Sequence, residues 1–96
     1  MIKTKRKQRI YVDIVYPQEN EEITSPNYTI KIKTNSEGRA EISINACDWE
    51  SCRESGGVWW YDWKNYTQGR HRILARISDD KGNILEISEI RKCVFQ

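Results

Sequence analysis

The residues of this 96-residue chain whose types could do chemistry are few: three cysteines, one histidine and a dense group of aromatics. The thiols are Cys47, Cys52 and Cys93, and their odd number leaves at least one free if any pair is oxidised. A structural zinc site takes four ligands as a rule. Three cysteines, with His71 on a distant run of the sequence, do not supply that set, so no metal and no cofactor is expected. His71 stands between Arg70 and Arg72, where a structural or surface role is expected. No serine or cysteine has the neighbours of an activated nucleophile. Asp79 and Asp80 fall in a turn string with Gly82 and Asn83, which reads as turn chemistry. Glu19, Glu21 and Glu22 form an acidic loop without calcium-loop spacing. No catalytic residue is expected, and the chain reads as a non-enzyme.

The aromatics offer binding chemistry instead. Trp49, Trp59, Trp60, Tyr61, Trp63 and Tyr66 lie within 18 positions. In an alternating strand Trp59, Tyr61 and Trp63 share one face, which should be the core, and Trp60 shares the other with Asp62. Trp49, Trp60 and Tyr66 are therefore the candidates for exposure. A flat indole beside carboxylates and amides suits a sugar ring, and it suits a protein partner equally. The alternative is that all four tryptophans pack internally or cover an edge. The segment 48–57 is long for a hairpin connection and holds Trp49, Cys52 and Arg53. The binding residues expected are Trp49, Arg53, Trp60 and Tyr66, with Trp49 and Arg53 anchoring a partner on this loop. A loop that folds back, with Trp49 capping the core, is the competing expectation.

The elements that must position these residues are strands. Ile10, Val12 and Ile14 alternate with Tyr11 and Asp13, and Tyr28, Ile30 and Ile32 with Thr29 and Lys31. Ala40, Ile42 and Ile44 alternate with Glu41 and Ser43, and Ile73, Ala75 and Ile77 with Arg72, Leu74 and Arg76. Period-two alternation of β-branched and aromatic residues marks half-buried strands. Turn signals separate them: Tyr16-Pro17, Ser25-Pro26-Asn27, Gly38, Gly56-Gly57, Gly69, and the string 79–83. A change of parity between Ile87 and Ile90 predicts a bulge or bend near Ser88 and Glu89. Six to seven short strands predict an all-β, antiparallel β-sandwich over residues 10–96. The core expected is Ile10, Val12, Ile14, Tyr28, Ile30, Ile32, Ile42, Ile44, Trp59, Tyr61, Trp63, Ile73, Ala75 and Ile77. If the outer faces pair, Glu41 should meet Arg72 or Arg76 across the strands.

The string VWWYDW at 58–63, then GRHRILARISDDKGN at 69–83, with VYP at 15–17 and SPNYTIKI at 25–32, resembles prokaryotic immunoglobulin-like domains. Such bacterial Ig-like or fibronectin-III-like domains occur in surface proteins and secreted enzymes. A similar run occurs in the immunoglobulin-like dimerisation domain of sulfite-oxidase-type enzymes. The resemblance covers most of residues 10–95 and implies an immunoglobulin-like sandwich acting as a non-catalytic interaction or spacer module. Extracellular or cell-surface placement, and the other domains of a parent enzyme as partners, come with it. In that fold the strand ending near Ala46 and the last strand run the same way. Cys47, Cys52 and Cys93 would then share one pole, and a disulfide involving Cys52 is preferred.

Composition narrows the classes. Sixteen basic and fourteen acidic residues give a net charge of only +2. That balance argues against nucleic acid as a partner of the domain as a whole. No apolar run reaches the roughly 18 residues of a membrane helix. Residues 1–9 are basic and are expected to be a flexible arm; no hydrophobic signal-peptide core follows. If Met1 is a natural start, an intracellular protein of a thermophile or its virus, with the arm touching nucleic acid, is the third class considered. Asn27 and Asn65 each open an Asn-Tyr-Thr sequon.

Overall fold

The structure, a computed structural model, describes residues 9–96. The basic segment expected to form an arm lies outside the described residues but for Arg9, whose carbonyl accepts a hydrogen bond from the Asn35 amide at 2.8 Å. Ten strands follow in order: β1 (Val12–Tyr16), β2 (Glu21–Ile23), β3 (Asn27–Thr34), β4 (Arg39–Ile44), β5 (Glu50–Ser51), β6 (Arg53–Ser55), β7 (Val58–Lys64), β8 (Gly69–Ser78), β9 (Ile84–Ile87) and β10 (Arg91–Phe95). Three of them, β2, β5 and β6, hold two or three residues, which leaves seven strands of the length the alternation predicts. No described residue is helical, so none of the described segments is a helix able to cross a membrane.

Two sheets face each other. Sheet one runs β1-β3-β7-β6, and sheet two runs β2-β10-β8-β4-β5 with β9 also beside β8. The pairing is antiparallel except where β2 joins β10 in parallel. That exception begins at Pro17, which has no N–H to continue the β1 ladder and is fully buried. The chain crosses there from sheet one to sheet two. The predicted bulge or bend is real: β9 stops at Ile87, and the Ser88 hydroxyl accepts the Ala75 N–H at 2.9 Å before β10 resumes the pairing.

The core lies between the inward residues of both sheets. Ile14, Ile30, Ile32, Ile42, Ile73, Ala75 and Ile77 are almost wholly buried. Val12 and Trp63 join them, while Ile10, Tyr28, Ile44, Trp59 and Tyr61 are half-buried against them. Ile23, Ala40 and Cys93 are further core members. Each buried isoleucine contributes about 1.5–3 kcal/mol relative to exposure.

The segment 48–57 departs most from expectation. It is not a loop throughout but a strap across the side of the sandwich, containing β5 and β6. Ser51 pairs with Glu41 in sheet two, and Glu54 pairs with Trp59 in sheet one. Cys52 turns the chain between the sheets, its N–H donating to the Ala40 carbonyl at 3.0 Å. This placement corrects the disulfide expectation. Ala40 lies opposite Ile77, whereas Cys93 lies opposite His71. Those two levels of β8 are about 20 Å apart at strand rise, and a disulfide needs Cα atoms within about 7 Å. Cys47, Cys52 and Cys93 are all free thiols. Cys47 and Cys93 do sit toward the expected pole; Cys52 was carried away from it when its segment became strand.

Candidate functional site

The outer face of sheet one brings two of the expected binding residues together. Trp60 points away from the core because Trp59 and Tyr61 point into it. Arg53 lies directly opposite Trp60 on β6, Lys31 lies opposite it on β3, and Tyr16 lies opposite Lys31 on β1. Tyr16, Lys31, Trp60 and Arg53 thus form one transverse row across all four strands. The Lys31 ammonium sits 5.5 Å from the centre of the Trp60 ring, within cation–π range. The indole N–H donates to the Ser55 carbonyl at 3.1 Å, so its polar edge is satisfied inside the domain.

A second row braces the first. Arg53 reaches the Asp62 carboxylate at 3.3 Å, and the Thr29 hydroxyl donates to the same oxygen at 3.3 Å. The hydrogen bond from Arg53 holds the Asp62 carboxyl below its usual range. Lys31, Arg53, Ser55 and Trp60 line a shallow depression of about 700 Å³ on this face. The arrangement offers broad contact area and fixed charges. Among the described residues no three His, Cys, Asp or Glu side chains gather as metal ligands do.

The other two expected residues lie elsewhere. Trp49 is on the outer face of sheet two, under the Arg76 guanidinium at 4.1 Å. Arg76 also donates to Glu41 at 2.9 Å, the cross-strand pair that the alternation anticipates. Trp49 therefore pins the strap onto sheet two, and it neither caps the core nor joins Trp60. Tyr66 is not on an outer face. Its ring packs 4.3 Å from Trp63 and 4.6 Å from Phe95, and its hydroxyl donates to the Ser25 carbonyl. His71, as expected, is structural. It is buried edge-on to Trp63, accepting from the Asn45 amide at 2.9 Å and donating to the Thr67 carbonyl at 2.7 Å.

Sequence reasoning missed Tyr16 and Lys31 as members of the face. Lys31 has the outward parity, but Tyr16 shares the inward parity of Val12 and Ile14 and reaches the outer face only because the register of β1 shifts between Ile14 and Tyr16; strand register alone shows that both align with Trp60. The thiols carry no reactive signature where they are buried. Burial, with Glu41 and Glu50 nearby, pushes the Cys52 thiol up to about 12. Burial, with Glu21 and Glu19 nearby, pushes Cys93 up to about 11.

No family model matches the chain, and no curated protein does. Solved structures match well. The chain is similar to a fibronectin(III)-like module of Clostridium thermocellum CbhA, with a TM-score of 0.73 and 15% identity over 88% of this chain and 94% of that one. It is also similar to part of an engineered protein, with a TM-score of 0.68 and 13% identity over 91% of this chain. The chain spans about a fifth of that protein's length, since 20% of it is covered. At these identities the likeness shows the fold and nothing finer. Together with the two facing sheets and their strand order, it shows that the chain has an immunoglobulin-like β-sandwich fold.

Proposed function

We propose that the chain is a non-catalytic interaction module of a surface or secreted protein, and that it holds a protein partner on the outer face of sheet one. The observation that carries this reading is the Tyr16–Lys31–Trp60–Arg53 row. Tyrosine, tryptophan and arginine are the residues most enriched at the energetic centres of protein interfaces. They are held here on four paired strands, so little ordering entropy is lost when a partner docks. The other domains of a longer parent protein are partners of the right kind. Arg53 and Trp60 anchor the contact in this reading, while Trp49 and Tyr66 support the scaffold.

A glycan is the second reading, because an indole on a strand face can stack on a pyranose ring. Two contacts favour protein over sugar. Lys31 already lies over the Trp60 ring, and the indole N–H is already bonded to Ser55. Tryptophan fluorescence titrated with a panel of plant and microbial polysaccharides separates the two. The protein reading expects no saturable change with any of them. A saturable shift with one polysaccharide that disappears in Trp60→Ala would replace it with the glycan reading.

A further inference from the structure

Three cations on the outer face of sheet two stand without counter-charges. Lys92 on β10 lies directly opposite Arg72 on β8, and Arg70 follows two residues along the same face. Like charges directly opposite each other weaken a sheet. Three other arginines, Arg53, Arg76 and Arg91, each meet a carboxylate, while Arg39 on β4 meets none among the described residues. Among the described residues neither Arg70, Arg72 nor Lys92 forms an ion pair. The acids nearest in register are engaged or displaced. Glu19 accepts the Lys92 main-chain N–H at 2.9 Å and approaches Arg91, and Glu22 lies one strand beyond, opposite Val94.

The same three side chains line a recess of about 440 Å³, with Asn20 and Asn45 among its walls. Both asparagines have left-handed backbones, φ 62° and 56°, a conformation that asparagine tolerates better than most residues. Each ties a cationic residue down. The Asn20 N–H donates to the Lys92 carbonyl at 2.7 Å. The Asn45 N–H donates to the Arg72 carbonyl at 2.8 Å, and its side-chain oxygen accepts the Arg72 N–H at 2.9 Å. Buried His71 in turn holds the Asn45 amide. The backbone carrying the charges is thus fixed before any ligand arrives.

We propose that this recess binds a tetrahedral dianion: free phosphate or sulfate, or a phosphate monoester. Cross-strand Cβ atoms such as those of Arg72 and Lys92 are about 5 Å apart, and Arg70 is about 7 Å further along its strand. That spacing lets two guanidinium forks and one ammonium close on a single group of tetrahedral oxygens. The dianion neutralises the repulsion that the free protein tolerates. The site is on the opposite sheet from Trp60 and does not depend on the protein-docking reading.

Melting temperature measured against inorganic phosphate, and separately sulfate, with chloride at matched ionic strength as control, tests this. Wild type should show a saturable rise with phosphate or sulfate and none with chloride. Lys92→Glu separates binding from folding. It places an acid opposite Arg72, so the free protein should melt at or above the wild-type temperature while anion affinity falls about tenfold or more, the scale of one lost charge-assisted hydrogen bond. Trp60→Ala should bind the anion as wild type does. Glucose 6-phosphate binding more tightly than inorganic phosphate assigns the site to an ester, and weaker binding assigns it to the free ion. Equal effects of phosphate, sulfate and chloride, or an unchanged response in Lys92→Glu, would overturn the proposal.

Discussion

Cys47, Cys52 and Cys93 meet three different environments, and their reactivity should follow from them. Cys47 is exposed, Cys52 is half-buried and Cys93 is buried. A thiol reacts through its thiolate, and burial holds Cys52 and Cys93 in the neutral form far above neutral pH. At pH 8 the native protein should therefore take up one equivalent of a maleimide quickly, at Cys47, and three only after denaturation. Intact mass should be identical with and without reductant; a two-dalton loss under oxidising conditions would show a disulfide the fold does not hold. The same shifts set the alkaline limit. Both thiols, and the Tyr28 hydroxyl that burial also raises, bind their protons more tightly folded than unfolded. Their contribution is complete below about pH 9, the unfolded thiol value, and is lost as pH climbs toward 11 and 12. Thermal melts across pH 7 to 11 should be level up to about pH 9 and then decline. A Cys93→Val variant should show a shallower alkaline decline.

At the scale of single strands, period-two alternation locates β1, β3, β4, β7 and β8, because each has one wet face and one dry one, whereas β9 is exposed along its whole length. Val12 and Ile14 of β1, Ile30 and Ile32 of β3, and Ile73, Ala75 and Ile77 of β8 are buried as their spacing requires. Three features lay beyond that signal. β5 and β6 are too short to alternate, so the strap read as a loop and Cys52 was placed at the wrong level. Which outward residues share a row, such as Lys31 with Trp60, depends on register, and register is a property of two strands. Tyr66 follows β7 in a loop, where parity says nothing about its inward turn against Phe95. Gly38, by contrast, was legible as a turn and proves to be a contact. Its φ is 138°, and a Cβ there would run into the Ser78 carbonyl at the end of the neighbouring strand β8. Gly38→Ala should cost about 2 kcal/mol or more, roughly 8 °C or more in melting temperature for a domain of this size. A variant that melts within 2 °C of wild type (about 0.5 kcal/mol or less) would mean that the turn yields easily. Trp63→Ala, which opens the core between Tyr66 and His71, should cost roughly 3–5 kcal/mol. Trp49→Ala loosens only the strap and should cost less.

Across the whole molecule, the two sheets present different outer surfaces. Their inner faces make the core, and their outer faces carry different surfaces: an aromatic and cationic row on sheet one, an unpaired cationic recess on sheet two. The fold class could be read from pattern alone, whereas the division between faces could not, since it required knowing which sheet each strand joins. The role of sheet one is the central claim, and it rests on Trp60 and Arg53 acting at the surface without supporting the core. The direct measurement compares binding of one affinity-isolated partner protein by wild type, Arg53→Ala, Trp60→Ala and, as a control on the exposed β9 edge, Ile87→Lys, all at matched folded fraction. The account predicts that Arg53→Ala and Trp60→Ala each weaken binding by about tenfold or more, the scale of an interface anchor, while Ile87→Lys leaves it unchanged. Binding that survives both sheet-one substitutions, or that is lost only in Ile87→Lys, would contradict it.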